Sequence, residues 1–324
     1  MKLRIPRLIR AITAAACVAT APAVLAAGYP AAAVNVVVPY SPGGGVDTVA
    51  RLVTNRMAEE LGQPMVVENK PGAGTNIGMA YVARAKPDGY TLYVASNTVT
   101  TNKALYSNLS FDPMTAFKPI GRIGEAPLVV VVNSNSSFNT LKDLIDFGRS
   151  NPEGLTFGTA GMGSSGHMAS ELLLRVADFK AMHVPYKGGS PAVTDLLAGR
   201  LSFMAINPIE VVSHVEAGKL RPLAVLNTDG THLLPEVKTA KSMGVDIEST
   251  VWWGLLAPAD TPDDIVQKLN AALRVTLNDP EVVEAMKKRG ASVHPDAPQE
   301  FQAFMEKEST TLSRIIKDAG IKVE

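Results

Sequence analysis

The chain is nearly free of cysteine: Cys17 is the only one in 324 residues, and it lies in an N-terminal stretch that reads as a leader. A mature form without it has no disulfide, no thiol nucleophile and no cysteine metal ligand. A basic excess is also missing, with 31 Lys and Arg against 31 Asp and Glu. Lys2, Arg4, Arg7 and Arg10 belong to the leader, which leaves 27 basic against 31 acidic residues, or about −4. That balance offers no electrostatic footprint for nucleic acid. After the leader no apolar run reaches transmembrane length.

Catalytic patterns are sparse as well. The five histidines His167, His183, His214, His232 and His294 show no metal-ligand spacing. No Gly-x-Ser-x-Gly elbow surrounds Ser164 or Ser165. Gly43-Gly44-Gly45 is not followed by the Lys-Ser/Thr of a Walker loop. Gly161-x-Gly163-x-x-Gly166 matches a dinucleotide fingerprint, yet the next strand ends in Tyr186-Lys187 rather than in the acid that holds a ribose. Neither a cofactor nor a metal is expected.

The leader carries a positive n-region, the small apolar run Ala11–Ala19 and Val24-Leu25-Ala26 where a signal peptidase reads small residues. An export signal over 1–26 is expected, cleaved after Ala26 or Ala27, with a soluble product that is periplasmic in a Gram-negative source. Cys17 after Ala14-Ala15-Ala16 faintly suggests a lipidation site, but only six uncharged residues precede it, short of the usual 7–15-residue h-region. Nearly 300 residues remain, 46% of the whole being apolar, enough for two well-packed domains.

What is there alternates. Val34–Val38, Met65–Glu68, Thr91–Ala95, Leu155–Gly158, Met182–Pro185 and Leu201–Ile206 read as strands, with helices at Asp47–Leu61 and Ile77–Ala85. Such alternation predicts α/β layers around largely parallel sheets. Val129–Val132 and Val251–Leu256 read as crossings between two units, and three helical stretches follow at Asp263–Leu277, Glu281–Lys288 and Gln299–Ala319. Residues 27–126 with 251–324 are expected to form one lobe, and 127–250 the other.

Ligands of open α/β sheets bind beyond the carboxyl ends of strands. The loops there are Tyr40-Ser41-Pro42-Gly43-Gly44-Gly45, Ser96-Asn97-Thr98, Ala160 to His167 through Gly161, Ser164 and Ser165, Tyr186-Lys187-Gly188-Gly189-Ser190, and Asn207. Glycine lets backbone approach a guest, and a helix start offers free N–H groups and a positive dipole end to an anion. Each piece has a plainer counterpart. Glycine loops are often only tight turns, Asp47 reads as the N-cap of its helix, and His167 can cap or pack. Lys187 can face solvent, and Trp252 and Trp253 can be interdomain packing. Five polar loops at equivalent strand ends favour a binding site.

These segments, in order, resemble the Bug family, the extracytoplasmic solute receptors of tripartite tricarboxylate transporters. The matching pieces are Val38 to Asp47, Val67-Glu68-Asn69-Lys70-Pro71-Gly72-Ala73-Gly74, Pro87 to Leu92, Gly161 to His167, Val184 to Gly189, Leu220 to Val225 and Trp253 to Pro258. The resemblance implies a type II periplasmic-binding-protein-like Venus flytrap: two α/β lobes around mixed, mostly parallel sheets, without catalysis. It also implies a monomer that holds a small carboxylate between its lobes and presents it to the membrane permease subunits of its transporter. Tyr40, Gly43, Gly44, Gly45, Ser96, Asn97 and Thr98 would serve from one lobe. Ala160, Gly161, Ser164, Ser165, His167, Tyr186, Lys187 and Asn207 would serve from the other.

Two positions depart from the family pattern. Ala205-Ile206-Asn207 stands where Phe-Asp-Asn is usual, which removes an acceptor for an ammonium. A di- or tricarboxylate, or an aromatic acid, is therefore expected over an amino acid. Lys238 replaces a usual proline, with an effect confined to loop stiffness. A receptor that signals to a periplasmic sensor domain meets the same sequence requirements, and neighbouring genes for membrane subunits or for a sensor kinase separate the two. A secreted dehydrogenase or hydrolase is opposed by the missing ribose acid and the missing base–nucleophile pair.

Overall fold

The structure is a computed structural model that describes residues 28–321; the expected export signal and Cys17 lie outside them. In chain order the elements are β1 (Val34–Val38), α1 (Gly45–Leu61), β2 (Met65–Asn69), α2 (Asn76–Ala83), β3 (Thr91–Ala95), α3 (Thr98–Leu105) and β4 (Phe117–Pro127). Then come β5 (Val129–Asn133), α4 (Leu141–Ser150), β6 (Thr156–Thr159), α5 (Ser165–Val176), β7 (Met182–Pro185), α6 (Gly189–Leu197), β8 (Phe203–Ile206), α7 (Val212–Glu216) and β9 (Leu220–Val225). The chain closes with β10 (Thr250–Pro258), α8 (Asp263–Asn278), α9 (Pro280–Lys287), β11 (Ser292–Val293) and α10 (Pro298–Ala319).

Two α/β lobes result. One holds a six-stranded sheet in the order β11-β4-β10-β3-β1-β2, the other a five-stranded sheet in the order β7-β6-β8-β5-β9. Parallel pairing is confined to β2-β1-β3 and β7-β6-β8; the other pairings are antiparallel. The antiparallel share therefore exceeds what the alternation of strands and helices predicts. The cause is the crossing: β5 and β10, each the first strand after the chain changes lobe, run against their neighbours on both sides. The crossings lie side by side. Leu128 N–H donates to Ser249 O at 3.1 Å, Ser249 N–H to Leu226 O at 2.8 Å, and Leu226 N–H to Leu128 O at 2.8 Å.

Strand β1 is a valine run because parallel strands with helices on both faces are apolar on both sides; Val34, Val36, Val37 and Val38 have no exposed surface. Trp252, also fully buried, meets Phe301 and Phe304 edge-on with ring centroids 5.6 Å away in each case, and so seats α10 on its sheet. Among the described residues no helix is long and apolar enough to cross a membrane.

Candidate functional site

The loop after β1 is braced from below. Gly43 has φ +80°, a backbone state that glycine adopts without strain. Its N–H donates to Asp47 Oδ2 at 3.0 Å. Asp47 is thus not the N-cap: Gly44 holds that place and α1 begins at Gly45. Asp47 sits in the first turn and reaches back to the preceding loop, as the acid of a capping box does. Arg51 Nε at 3.0 Å and Asn69 Nδ2 at 2.8 Å also donate to its carboxylate, and Asn69 Nδ2 bonds Tyr40 O at 3.0 Å. Burial pushes the Asp47 carboxyl up, but the Arg51, Gly43 and Asn69 donors outweigh it and hold it below the usual range. The loop is fixed before any guest arrives.

Tyr40 is buried, and its hydroxyl shares a 2.8 Å bond with Ser96 Oγ at the end of β3. On the other lobe Ser164 is the N-cap of α5, its Oγ accepting from His167 N–H at 3.3 Å. The lobes meet. Ser41 N–H and Oγ–H both donate to Lys187 O at 3.0 Å, and Thr101 Oγ–H donates to Gly163 O at 2.9 Å.

Between them lies a cavity of about 540 Å³. Tyr40, Gly44, Gly45 and Ser96 line it from the first lobe, and Ala160, Ser164, Ser165 and Asn207 from the second. These eight are the expected residues that the fold brings together. Asn207 is 4% exposed, and its Nδ2 has no partner.

The other seven do not reach the cavity. The Gly43 N–H is taken by Asp47. Asn97 Nδ2 donates to Glu308 Oε1 at 2.8 Å, and Thr98 is fully buried at the start of α3. Gly161 turns at φ +132°, with its N–H on Thr159 Oγ1. His167 is core: it stacks on His183 with centroids 4.1 Å apart, and its Nδ1 accepts from Gly163 N–H at 3.1 Å. Burial, with His183 beside it, drives His167 down to about 3, so the ring is neutral with its proton on Nε2. Tyr186 donates to Asp195 Oδ2 at 2.7 Å, and burial raises its hydroxyl to about 12. Lys187 is exposed and contributes only its carbonyl to the lobe contact.

Of the lining residues outside the expected set, three bear on the chemistry of the site. Trp253 reads in the sequence as packing, and it is packed in the core, but it also lines the cavity and its Nε1 is unpaired. Gly189 belongs to a loop already noted, but the loop's polar residues drew attention instead. Glu210 stands three residues beyond Asn207, on the same strand-end loop. Its Oε2 has no partner, and burial raises its carboxyl to about 7, against the opposing pull of the Gly45 N–H. Ile206 does line the wall, as the missing-acceptor argument requires. Glu210 supplies an acceptor to the same cavity, so the ground for setting an amine aside is gone.

A cavity clasped by strand-end loops of two α/β lobes, with two crossings side by side, defines a two-lobed solute-receptor fold. The comparisons give the family. Residues 49–321 match the model for the tripartite tricarboxylate transporter family receptor, and the chain belongs to that family. It is 37% identical over 300 residues, 90% of this chain and 86% of the relative, to the UPF0065 protein in the TAR-I ttuE-ttuC' intergenic region of Agrobacterium vitis. It is also similar to two solved structures that cover the whole of their own chains. Rpa4515 of R. palustris, solved with adipate, has a TM-score of 0.88 at 32% identity over 91% of this chain. MatC from Rhodopseudomonas palustris, solved with bound malate, has a TM-score of 0.85 at 31% identity over 89% of this chain.

Proposed function

We propose that this chain is an exported, periplasmic receptor that captures one small organic carboxylate between its lobes, releases it unchanged, and hands it to the membrane subunits of a tripartite tricarboxylate-type transporter. Residues 27–126 with 251–324 form one jaw and 127–250 the other. The observation that carries this is the unpaired donor pair in the cavity. Asn207 and Trp253 line it, one from each jaw, beside Ser96, Ser164 and Ser165, and Asn207 Nδ2 and Trp253 Nε1 are buried without partners. Buried donors left unpaired cost about 1–3 kcal/mol each, and a carboxylate placed there removes that cost. Among the described residues no Lys, Arg or His lines the cavity, so hydroxyl, indole and amide donors do the gripping. Adipate in one similar structure and malate in another favour dicarboxylates as the class.

Isothermal titration calorimetry against a panel of small mono-, di- and tricarboxylates tests this, with the acid followed afterwards by NMR. The expected result is one acid bound per chain and recovered intact. Binding by none, or conversion of the acid to a product, contradicts it.

A further inference from the structure

Glu210 puts a carboxylate into a cavity meant for a carboxylate. It comes from the loop after β8 and reaches the first lobe, where the Gly45 N–H faces it. Its position is tight. A Cβ at Gly189 would lie 1.9 Å from Glu210 Oε2, one at Gly44 3.4 Å from Oε2, and one at Gly45 3.1 Å from Oε1. Three glycines from two lobes therefore leave the space that this side chain fills. The other titratable group facing it is Tyr40, whose hydroxyl is raised chiefly by burial, with the nearby Glu210 charge adding to it. Among the described residues the wall holds no cation to pair with Glu210.

The unmet hydrogen bonding of the cavity is thus two-sided. Asn207 Nδ2 and Trp253 Nε1 lack acceptors, and Glu210 Oε2 lacks a donor. A plain diacid satisfies the first pair and leaves the last oxygen facing a second anion. A hydroxyl or ammonium on the ligand satisfies all three.

We propose that Glu210 is the specificity-determining residue of this receptor, selecting carboxylic acids that also carry a hydrogen-bond donor, a hydroxyl or an ammonium, over the corresponding plain acids. This rests on the carboxylate-receptor function proposed above. A donor group recognised by a buried charged acceptor discriminates strongly, because the analogue that lacks it leaves the acceptor unpaired.

The test is calorimetric titration at pH 8 with three matched sets: succinate, malate and aspartate; glutarate, 2-hydroxyglutarate and glutamate; adipate and 2-aminoadipate. In the parent protein the best hydroxy or amino acid should bind at least about tenfold more tightly than its plain partner. In Glu210→Ala the preference should shrink to within about twofold. Glu210→Gln keeps the shape and an acceptor oxygen without the charge; it should lose the preference if the donor is an ammonium and keep most of it if the donor is a hydroxyl. Melting curves of both variants show that they fold. A plain acid bound as tightly as its donor-bearing partner, or a preference that survives Glu210→Ala, overturns the role of Glu210 and leaves the receptor function standing. Failure of every acid to bind overturns both.

Discussion

At the residue scale, the site depends on which way neighbouring side chains point. Ser96 faces the cavity while Asn97 and Thr98, next to it, are built into the lobe. Ser164 does two things at once, capping α5 and lining the cavity. Ser164→Ala should therefore lower the stability of the ligand-free protein by about 1 kcal/mol through the lost cap. Denaturant titration checks this; unchanged stability would show that the cap contributes nothing. Gly189 couples stability and binding. Its replacement by alanine suits the start of α6, but the new methyl would occupy the place of Glu210 Oε2. Gly189→Ala should cost about 1–3 kcal/mol of stability by displacing the buried Glu210 side chain and weaken ligand binding at least about tenfold. Parental affinity measured by calorimetry would contradict the crowding.

At the element scale, α10 is pinned to the first lobe through one buried acid. Glu308 accepts from Asn97 Nδ2 at 2.8 Å, from Thr100 Oγ1 at 2.9 Å and from Trp252 Nε1. Burial outweighs these donors and raises its carboxyl to about 7. A folded value above the unfolded one, near 4.5, means that the stabilising contribution is complete below pH 4.5 and is lost as pH rises through 7. The buried His167 and His183, held down to about 3 and about 4, act in the other direction, lowering stability as pH falls below 6.5. The profile of the parent sums these with the other shifted groups, including Glu210, whose carboxyl burial also raises to about 7. Glu308→Gln removes one part, so the variant should gain on the parent in melting temperature as pH rises from 4.5 to 8. Parallel profiles would contradict the burial of Glu308 as an acid.

The elements were largely legible in the sequence, because their signals are local. β1, β3 and β7 fall on the expected residues, and the later helices shift by one residue, α8 and α10 at one end and α9 at both. The start of α1 was misplaced because Asp47 has N-cap chemistry but acts from inside the first turn. The reversal of β5 and β10 was not legible, since strand direction is set by the crossings and leaves no mark in a valine run. At the site, polar strand-end loops marked the right region. Facing was hidden, and an acid such as Glu210 reads as solvated until the opposite lobe is seen to cover it.

At the scale of the whole molecule, the polar contacts between the lobes among the described residues include Ser41 on Lys187, Thr101 on Gly163, His232 on Lys287, and Glu210 towards Gly45. The crossings at Leu128 and Ser249 join them by backbone hydrogen bonds. On the proposed function, a ligand that bridges Gly45 and Trp253 on one lobe to Ser164 and Asn207 on the other would favour a closed form through its differential contacts. The measurement that tests this most directly is a crystal structure of the protein grown with the acid that binds most tightly in calorimetry. Density for one intact acid should fill the cavity, its carboxylate within hydrogen-bond reach of Asn207 Nδ2 and Trp253 Nε1. An acid seated elsewhere on the molecule, with the Tyr40–Gly45 and Ser164–Gly166 loops facing an empty cleft, would contradict the account.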